Sequence, residues 1–233
     1  MEPASHHEGI YTELLQLTLT ACGLARSSAA AAADGLASRS QQAFATIADS
    51  ERKLDLLDRE MDERVAYAVT LVDAADARDL LICMKFLIDL ERIGDLLCVF
   101  GAEIQALQDP IEMEDIKDIT VMGSVLEKML RDAQEGLAMR DVERAVAMVR
   151  ADAEIDRRRN LLLVRLLESR TMTTRNAVHL LFAAQAMERA GDHAVNLGEE
   201  ICHLVTGHTI RHVRKETDRS YEQRYVEWLK KKG

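Results

Sequence analysis

The chain has 233 residues, of which 48% are hydrophobic, so it is long and apolar enough to bury a core. Its 40 acidic residues outnumber 30 lysines and arginines, and the formal charge of -10 argues against general binding to nucleic-acid phosphates. Cations or basic protein surfaces are the expected partners. Aromatic residues reach only 4% and the prolines are only two, Pro3 and Pro110, which favours long helices over strands. We therefore predict an all-α protein.

Hydropathy and cysteine placement indicate the compartment. The most apolar run, residues 80–90, is interrupted by Lys85 and is shorter than the roughly 18 apolar residues that span a bilayer. The chain does not open with a signal-peptide pattern. The cysteines lie in apolar stretches without a CxxC pair, which indicates buried free thiols rather than disulfides or a zinc site. We expect a cytoplasmic protein with at most peripheral membrane association. The cysteines are Cys22, Cys83, Cys98 and Cys202.

The chain contains an internal repeat. At an offset of 101 residues, the segment 34–40 aligns with 135–141, and six apolar positions farther on keep the same register. The offset then falls to 97, which we attribute to a shorter turn between the second and third helices of the second copy. In both copies, apolar residues recur at spacings of three and four, as expected for helices that bury one face.

Each copy is predicted to form three helices. We interpret Gly35 and Gly136 as helix C-caps, and Ser40 and Asp141 as N-caps of the helices that follow. Long helices joined by short turns run antiparallel to their neighbours. We therefore predict two tandem, pseudo-symmetric three-helix bundles, six long antiparallel helices in all, followed by a C-terminal tail helix. The predicted helices cover residues 10–33, 40–71, 77–108, 112–135, 141–168 and 174–205, and the predicted domains are 1–109, 110–207 and an amphipathic tail, 208–233.

A carboxylate-bearing motif occurs twice. The pentapeptide Glu-Arg-Ile-Gly-Asp at 91–95 returns as Glu-Arg-Ala-Gly-Asp at 188–192. In each copy the two acids stand four residues apart, which places them on one helix face. The preceding helix of each copy carries an acid pair at the same spacing, and an antiparallel hairpin would bring the two pairs to one height. We expect Asp55 level with Glu91, Glu51 with Asp95, Asp156 with Glu188, and Asp152 with Asp192.

Four carboxylates a few ångströms apart require a compensating cation. Each charge raises the pKa of its neighbours unless a metal ion or a proton offsets it. Oxygen ligands suit Mg²⁺, Ca²⁺, Mn²⁺ or ferric iron, and the absence of histidine and cysteine from the motifs weakens the case for zinc or copper. The alternatives are a solvated helix surface and salt bridges to nearby arginines.

Glycines accompany the acids on the third helix of each copy. Gly94 and Gly101 stand two turns apart on one face, and Gly191 and Gly198 repeat the pattern. Each glycine weakens a helix by about 1 kcal/mol relative to alanine. We therefore predict a close approach between helices there, and helix packing explains it better than a direct role in ligand binding.

With these two pentapeptides in repeated three-helix units, the chain resembles the PhoU family of phosphate-uptake regulators. The resemblance covers about residues 10–207, and the second copy continues as His-Ala-Val-Asn at 193–196. It implies a cytoplasmic protein that damps phosphate-starvation signalling, acting between a phosphate ABC transporter ATPase and a sensor histidine kinase. It also implies metal ions on the acid motifs, iron in some members, with manganese, magnesium or zinc left open here.

The resemblance also assigns the metal ligands. Asn196 and Glu199 would extend the second site, whereas their counterparts in the first copy are Val99 and Ala102. We therefore predict that the second site binds metal more fully. The predicted ligands are Glu51, Asp55, Glu91, Asp95, Asp152, Asp156, Glu188, Asp192, Asn196 and Glu199.

Two other functions share parts of this pattern. An accessory protein of a single-component phosphate permease would have the same fold and differ only in its partner. A carboxylate-bridged di-metal enzyme would need Glu-x-x-His pairs, and no histidine follows a motif glutamate by three residues. No nucleophile with its base and no glycine-rich phosphate loop is evident either, so we predict that the chain is not an enzyme. We expect it to form a homodimer.

Three further features have open roles. The run Arg157–Arg159 indicates a solvated, salt-bridged face, with contact to phosphate or an acidic partner as the alternative. His179 and His193 are predicted to be packed or capping residues rather than ligands. The tail could dock on the bundle, on a partner or on a membrane surface. Its apolar side is formed by Val213, Tyr221, Tyr225, Trp228 and Leu229.

Overall fold

The computed structural model describes residues 4–38 and 40–207, and these form six long α-helices, as predicted. Five of the predicted helices match within about four residues, whereas the first is longer than expected. The predicted tail helix falls on residues 208–233, outside the described residues. The helices are α1 (Ala4–Ser38), α2 (Gln41–Ala68), α3 (Ala74–Gln105), α4 (Met113–Met139), α5 (Val142–Glu168) and α6 (Thr174–Thr206).

The six helices form two three-helix units that pack against each other. α1 packs along α4, and α3 packs along α6, so these two pairs join the first repeat to the second. α2 lies on α1 and α3, and α5 lies on α4 and α6 in the equivalent position. The acid pairs predicted on α2 and α3 therefore face each other within the first repeat, and those on α5 and α6 do so within the second.

Side-chain caps begin the middle helix of each repeat, as predicted. The Ser40 hydroxyl accepts a hydrogen bond from the Ala43 amide, and the Asp141 carboxylate accepts one from the Arg144 amide. Such caps satisfy amides that have no partner within the helix. At the other end of the second repeat, Gly207 closes α6 in the left-handed region, with φ 72°.

The prediction that Gly35 and Gly136 are C-caps is wrong. α1 continues to Ser38, and α4 continues to Met139, with its C-cap Arg140 in the left-handed conformation at φ 53°. Both glycines instead lie where a neighbouring chain segment approaches closely. A Cβ on Gly136 would stand 3.1 Å from Ile201 Cδ1, and one on Gly35 would stand 3.1 Å from a methyl group on α2. The glycines thus serve packing, and the helices continue past them.

The offset change between the repeats also has a different origin from the one expected. The connections between α2 and α3 and between α5 and α6 are residues 69–73 and 169–173, five residues in each repeat. The turns are therefore equal in length, and the second hairpin is shorter by about one helical turn in the helices that flank its turn.

Small residues bring the two repeats together along α1 and α4. A Cβ on Gly123 of α4 would lie 3.0 Å from the Cβ of Ala33 on α1, so the two helices are nearly in backbone contact there. Several α1 core positions are alanine, which keeps this side of α1 narrow. The described cysteines are all free, and Cys22, Cys83 and Cys202 are buried as predicted, whereas Cys98 is only half-buried. Burial raises the pKa of the Cys22 thiol to about 12.

Candidate metal centres

The first acidic cluster lies along the contact line of α2 and α3. It consists of the predicted ligands Glu51, Asp55, Glu91 and Asp95, together with Asp58. Burial raises the pKa of Glu91, the charges of Asp95, Asp58 and Asp55 raise it further, and Arg92 opposes them. Asp55 is therefore close to Glu91, as the antiparallel register predicts.

The other end of the first cluster surrounds a thiol. Desolvation raises the pKa of Cys98 to about 11, and the negative charges of Glu51 and Asp95 add to the rise. Both carboxylates thus lie near one side chain, which places Glu51 beside Asp95 and agrees with the predicted register.

Asp58 is a member of the first cluster that the motif analysis missed. Its Oδ1 atom is shielded from solvent and has no hydrogen-bond partner among the residues that the structure describes. Burial raises the pKa of Asp58, the charges of Asp62 and Asp55 add to the rise, and Arg92 opposes it. An unpartnered, solvent-shielded carboxylate oxygen is costly unless a proton or a cation offsets it. The donor set therefore suits a hard metal ion.

Arginines near the first cluster are exposed. Arg59 donates to Asp55 one helical turn away, with Nη2 2.7 Å from Oδ2, and its side chain is 69% exposed. Arg92 lies 3.6 Å from Glu91 and 3.8 Å from Asp95, and it is 59% exposed. Exposed pairs of this kind contribute about 0–1 kcal/mol. Because these contacts are weak, a divalent ion could displace them.

The second acidic cluster lies along α5 and α6 and consists of Asp152, Asp156, Glu188 and Asp192. Burial raises the pKa of Glu188, and the charges of Asp192 and Asp156 add to the rise. Asp192 is the most exposed of the four, and partial desolvation and the Asp156 charge raise its pKa as well. Asp156 therefore lies close to both α6 acids.

Asp152 differs from its counterpart Glu51 because it is completely buried. A Cβ on Gly191 would stand 2.7 Å from Asp152 Oδ1, so this carboxylate occupies the space that the glycine leaves open between α5 and α6. The four carboxylates of the second cluster therefore lie at different depths, with Asp152 inside the helix interface.

An arginine reaches the second cluster through a glutamine. Arg159 of α5 donates to Gln185 of α6, with Nη2 2.7 Å from Oε1, and Gln185 donates through Nε2 to Glu188. The Arg159 charge also opposes the raised pKa values of Asp156 and Glu188. Arg159 also donates through Nη1 to the side-chain oxygen of Asn160 at 3.0 Å.

The rest of the Arg157–Arg159 run forms the predicted salt-bridged face. Arg157 and Arg158 both donate to Glu154, and hydrogen bonds from them lower the pKa of that carboxyl to about 2. Arg158 also reaches Asp118 of α4 at 2.8 Å. Only the third arginine of the run faces the acidic cluster.

Glycines allow the acid-bearing helices to approach each other, as predicted. A Cβ on Gly94 would lie 2.8 Å from Leu54 Cδ1, and one on Gly198 would lie 3.1 Å from the Ala145 carbonyl oxygen. Such distances are shorter than ordinary van der Waals contact, so a side chain at either position would push the helices apart. Close packing of α3 on α2, and of α6 on α5, therefore sets the spacing of the carboxylates.

The residues predicted to extend the second site make other contacts. Asn196 donates through Nδ2 to Asp89 Oδ1 of α3 at 3.0 Å, and His193 Nδ1 lies 2.8 Å from the same oxygen. Both side chains thus contact the first repeat, and His193 is packed as predicted. His179 likewise contacts Glu103 of α3, at 2.7 Å. Glu199 is half-buried, and its charge contributes to the raised pKa of Cys202.

The carboxylates of each cluster are neighbours without forming a complete ligand sphere. Within residues 4–38 and 40–207, no three acidic, histidine or cysteine side chains stand in an arrangement that could hold a metal ion. Binding would require the half-buried and exposed carboxylates to change rotamer and turn toward one another, because only Asp152 is completely buried. The roles assigned to the ten predicted ligands remain predictions.

The repeat itself contains the signal for the residues that the motif analysis missed. At the 101-residue offset, Asp58 corresponds to Arg159, and at the 97-residue offset, Ile88 corresponds to Gln185. The two repeats therefore carry opposite charges at one equivalent position, which a comparison limited to the acid pairs does not reveal.

The fold and its repeat match known proteins. A family model described as the PhoU domain matches the chain twice, at residues 19–102 and 119–201. No described helix combines the length and the hydropathy needed to cross a membrane.

Curated relatives extend the match over most of the chain. A Zymomonas mobilis protein named phosphate-specific transport system accessory protein PhoU homolog is 28% identical over 192 residues, covering 79% of this chain and 80% of that protein. A Thermotoga maritima protein of the same name, numbered homolog 1, is 31% identical over 173 residues, covering 71% of this chain and 74% of that protein.

Two solved structures share the fold. The phosphate transport system regulatory protein PhoU from Streptococcus pneumoniae superposes with a TM-score of 0.79 at 21% identity, covering 88% of this chain and 99% of that one. PhoU from Pseudomonas aeruginosa gives 0.79 at 22% identity, covering 86% and 99%. Because the family model matches both repeats, over more than half of the sequence, the chain belongs to the PhoU family.

Proposed function

We propose that this chain is a negative regulator of phosphate uptake and phosphate-starvation signalling, and that it acts as a non-enzymatic adaptor in the cytoplasm. The observation that carries the proposal is the match of the PhoU domain model to both repeats. The names of the curated relatives, phosphate-specific transport system accessory proteins, support it. Its partners would be the ATPase of a phosphate ABC transporter and a sensor histidine kinase, and it would act as a homodimer.

The regulatory part of the proposal is tested by deleting the gene in its own host. Transcription that responds to phosphate should stay switched on in the deletion strain at high phosphate, and the intact gene on a plasmid should restore repression. A variant that keeps the fold but loses both acidic clusters would show whether the clusters take part. Normal repression at high phosphate in the deletion strain would refute the regulatory role.

A single-component phosphate permease is the second candidate partner. The sequence and fold are compatible with both partners, so the discriminating experiment is affinity capture of the tagged chain from its host's membranes. Recovery of a transporter ATPase or a histidine kinase supports the adaptor role. Recovery of a permease without either of them supports the alternative.

We further propose that the acidic clusters bind metal ions, with iron, manganese, magnesium or zinc as candidates. Support comes from the clustered carboxylates with raised pKa values, Glu91, Asp58, Glu188 and Asp192 among them. A metal ion would supply the positive charge that offsets these carboxylates and would join α2 to α3 or α5 to α6.

Metal binding is tested by thermal unfolding of chelator-treated protein. Adding Mn²⁺ or iron should raise the melting temperature, because an ion that binds only the native state stabilises it by mass action. Replacing Glu91, Asp95, Glu188 and Asp192 by alanine should remove most of this gain. A melting curve that does not respond to any of the candidate ions would refute metal binding.

A further inference from the structure

The two acidic clusters are not equivalent, because one equivalent position carries a negative charge in the first repeat and a positive charge in the second. Asp58 adds a fifth carboxylate to the first cluster, and its Oδ1 atom has no hydrogen-bond partner within the described part of the chain. Arg159 occupies the corresponding position in the second repeat, where its charge acts on Asp156 and Glu188. Both repeats keep an arginine at the second motif position, Arg92 and Arg189, so that residue does not distinguish them.

Arg159 is fixed in place on the second cluster. Its guanidinium donates to Gln185 at 2.7 Å and to Asn160 at 3.0 Å, and Gln185 in turn donates a hydrogen bond to Glu188. The first repeat lacks this bridge, because Ile88 stands where the second repeat has Gln185. A cation held by a neighbouring helix is not displaced as readily as a free side chain.

The cation nearest to the first cluster's Asp55 is held less firmly. Among the residues that the structure describes, Arg59 is paired with Asp55, one turn away on the same helix, and 69% of its side chain is exposed. An exposed pair at this spacing contributes little to stability. A divalent ion arriving at the first cluster would therefore compete with a weak contact, whereas an ion arriving at the second would meet a fixed positive charge.

We infer that Arg159 is a built-in counter-ion of the second acidic cluster, and that the first cluster, with Asp58 in the equivalent place, takes up divalent metal with higher affinity. This inference rests on the proposed metal binding. It reverses the expectation from the motifs alone, under which Asn196 and Glu199 favour the second site. Asn196 instead uses its amide to contact Asp89.

The test is Mn²⁺ binding to chelator-treated full-length protein, measured by titration calorimetry at fixed pH and ionic strength. Wild-type protein should show high-affinity binding that Asp58→Asn weakens at least tenfold. Arg159→Gln should strengthen the weaker of the two binding phases about tenfold, because it removes a unit positive charge that repels a divalent ion at the second cluster.

Matched variants separate this role from a structural one. Arg157→Gln removes the same charge from the same helix, but Arg157 contacts Glu154 and not the cluster, so its binding curve should match that of wild type. Adding Asp156→Asn to Arg159→Gln should remove the gained affinity, which assigns the gain to the second cluster. A purely structural arginine would lower stability when replaced and would not strengthen metal binding.

The possible outcomes are distinct. Equal affinity at the two clusters of wild-type protein, or no gain in Arg159→Gln, would overturn the inference and leave metal binding itself standing. No Mn²⁺ binding in any folded variant would overturn the metal proposal and the inference together. Tighter binding in Arg159→Gln, unchanged in Arg157→Gln, supports both.

Discussion

Replacing Gly198 by alanine should destabilise the protein, although alanine is the better helix former. A Cβ at this position would lie 3.0 Å from Val149 Cγ2, 3.1 Å from the Ala145 carbonyl oxygen and 3.2 Å from Met148 Cγ. One of the three atoms belongs to the α5 backbone, so rotating a side chain cannot relieve the contact. The higher helix propensity of alanine stabilises the protein by about 1 kcal/mol, whereas overpacking by its Cβ costs about 1–3 kcal/mol.

Gly23 of α1 provides the matched control. It lies within a helix, and a Cβ there would meet only Gln134 Nε2 at 3.7 Å, an ordinary contact. Gly23→Ala should therefore stabilise the protein by about 1 kcal/mol, or roughly 2–4 °C in melting temperature. Gly198→Ala should lie about 1–3 kcal/mol below Gly23→Ala in urea unfolding of metal-free protein. Equal stabilisation by both substitutions would refute the close approach of α6 to α5.

Three further predictions concern charges and caps. Arg165→Met should cost about 3 kcal/mol, because it leaves the nearly buried carboxylates of Asp115 and Asp118 without the arginine that bonds both, and urea unfolding measures this loss. Asp141→Ala should cost about 1 kcal/mol through loss of the α5 N-cap, and unchanged unfolding would contradict that assignment. Because the pKa of Glu91 is raised, the folded metal-free protein holds a proton that the unfolded chain releases above about pH 4. The free energy of unfolding should therefore fall as the pH rises through that raised pKa, while the affinity for Mn²⁺ rises. Urea unfolding and Mn²⁺ titrations at several pH values measure the two trends, and an opposite sign in either would contradict this reasoning.

The fold was predictable because its main signals are local and repeated. Apolar spacing of three and four identified all six helices, and the side chains of Ser40 and Asp141 identified where the middle helices begin. The ends of α1 and α4 were not predictable, because a glycine can either cap a helix or let a neighbour approach. Gly35 and Gly136 do the second, and only the position of the neighbouring segment decides between the two.

The candidate sites were predictable in part for the same reason. Acids spaced by four residues, on two helices that run antiparallel, are brought together by the hairpin, and the contacts of Glu91 and Glu188 follow that rule. The contacts that cross between repeats do not follow from spacing within one helix. Spacing alone therefore places Asn196 on the metal face, whereas its amide donates to Asp89 of α3.

The opposite charges at one equivalent position of the two repeats are recognised only from the sequence and the structure together. The sequence contains the Asp58 and Arg159 pair at one offset, but only the structure shows that each side chain reaches the acid pairs. Asp58 raises the pKa of Glu91, and Arg159 opposes the raised pKa of Glu188.

Anomalous diffraction from crystals soaked in Mn²⁺ would show directly whether helix pairs in the two repeats present carboxylates for metal binding. We expect an anomalous peak between α2 and α3, within ligand distance of Asp58 and Glu91 oxygen atoms, and a weaker or absent peak between α5 and α6. Ordered crystals with no manganese peak at either cluster, in soaks well above physiological concentration, would contradict it.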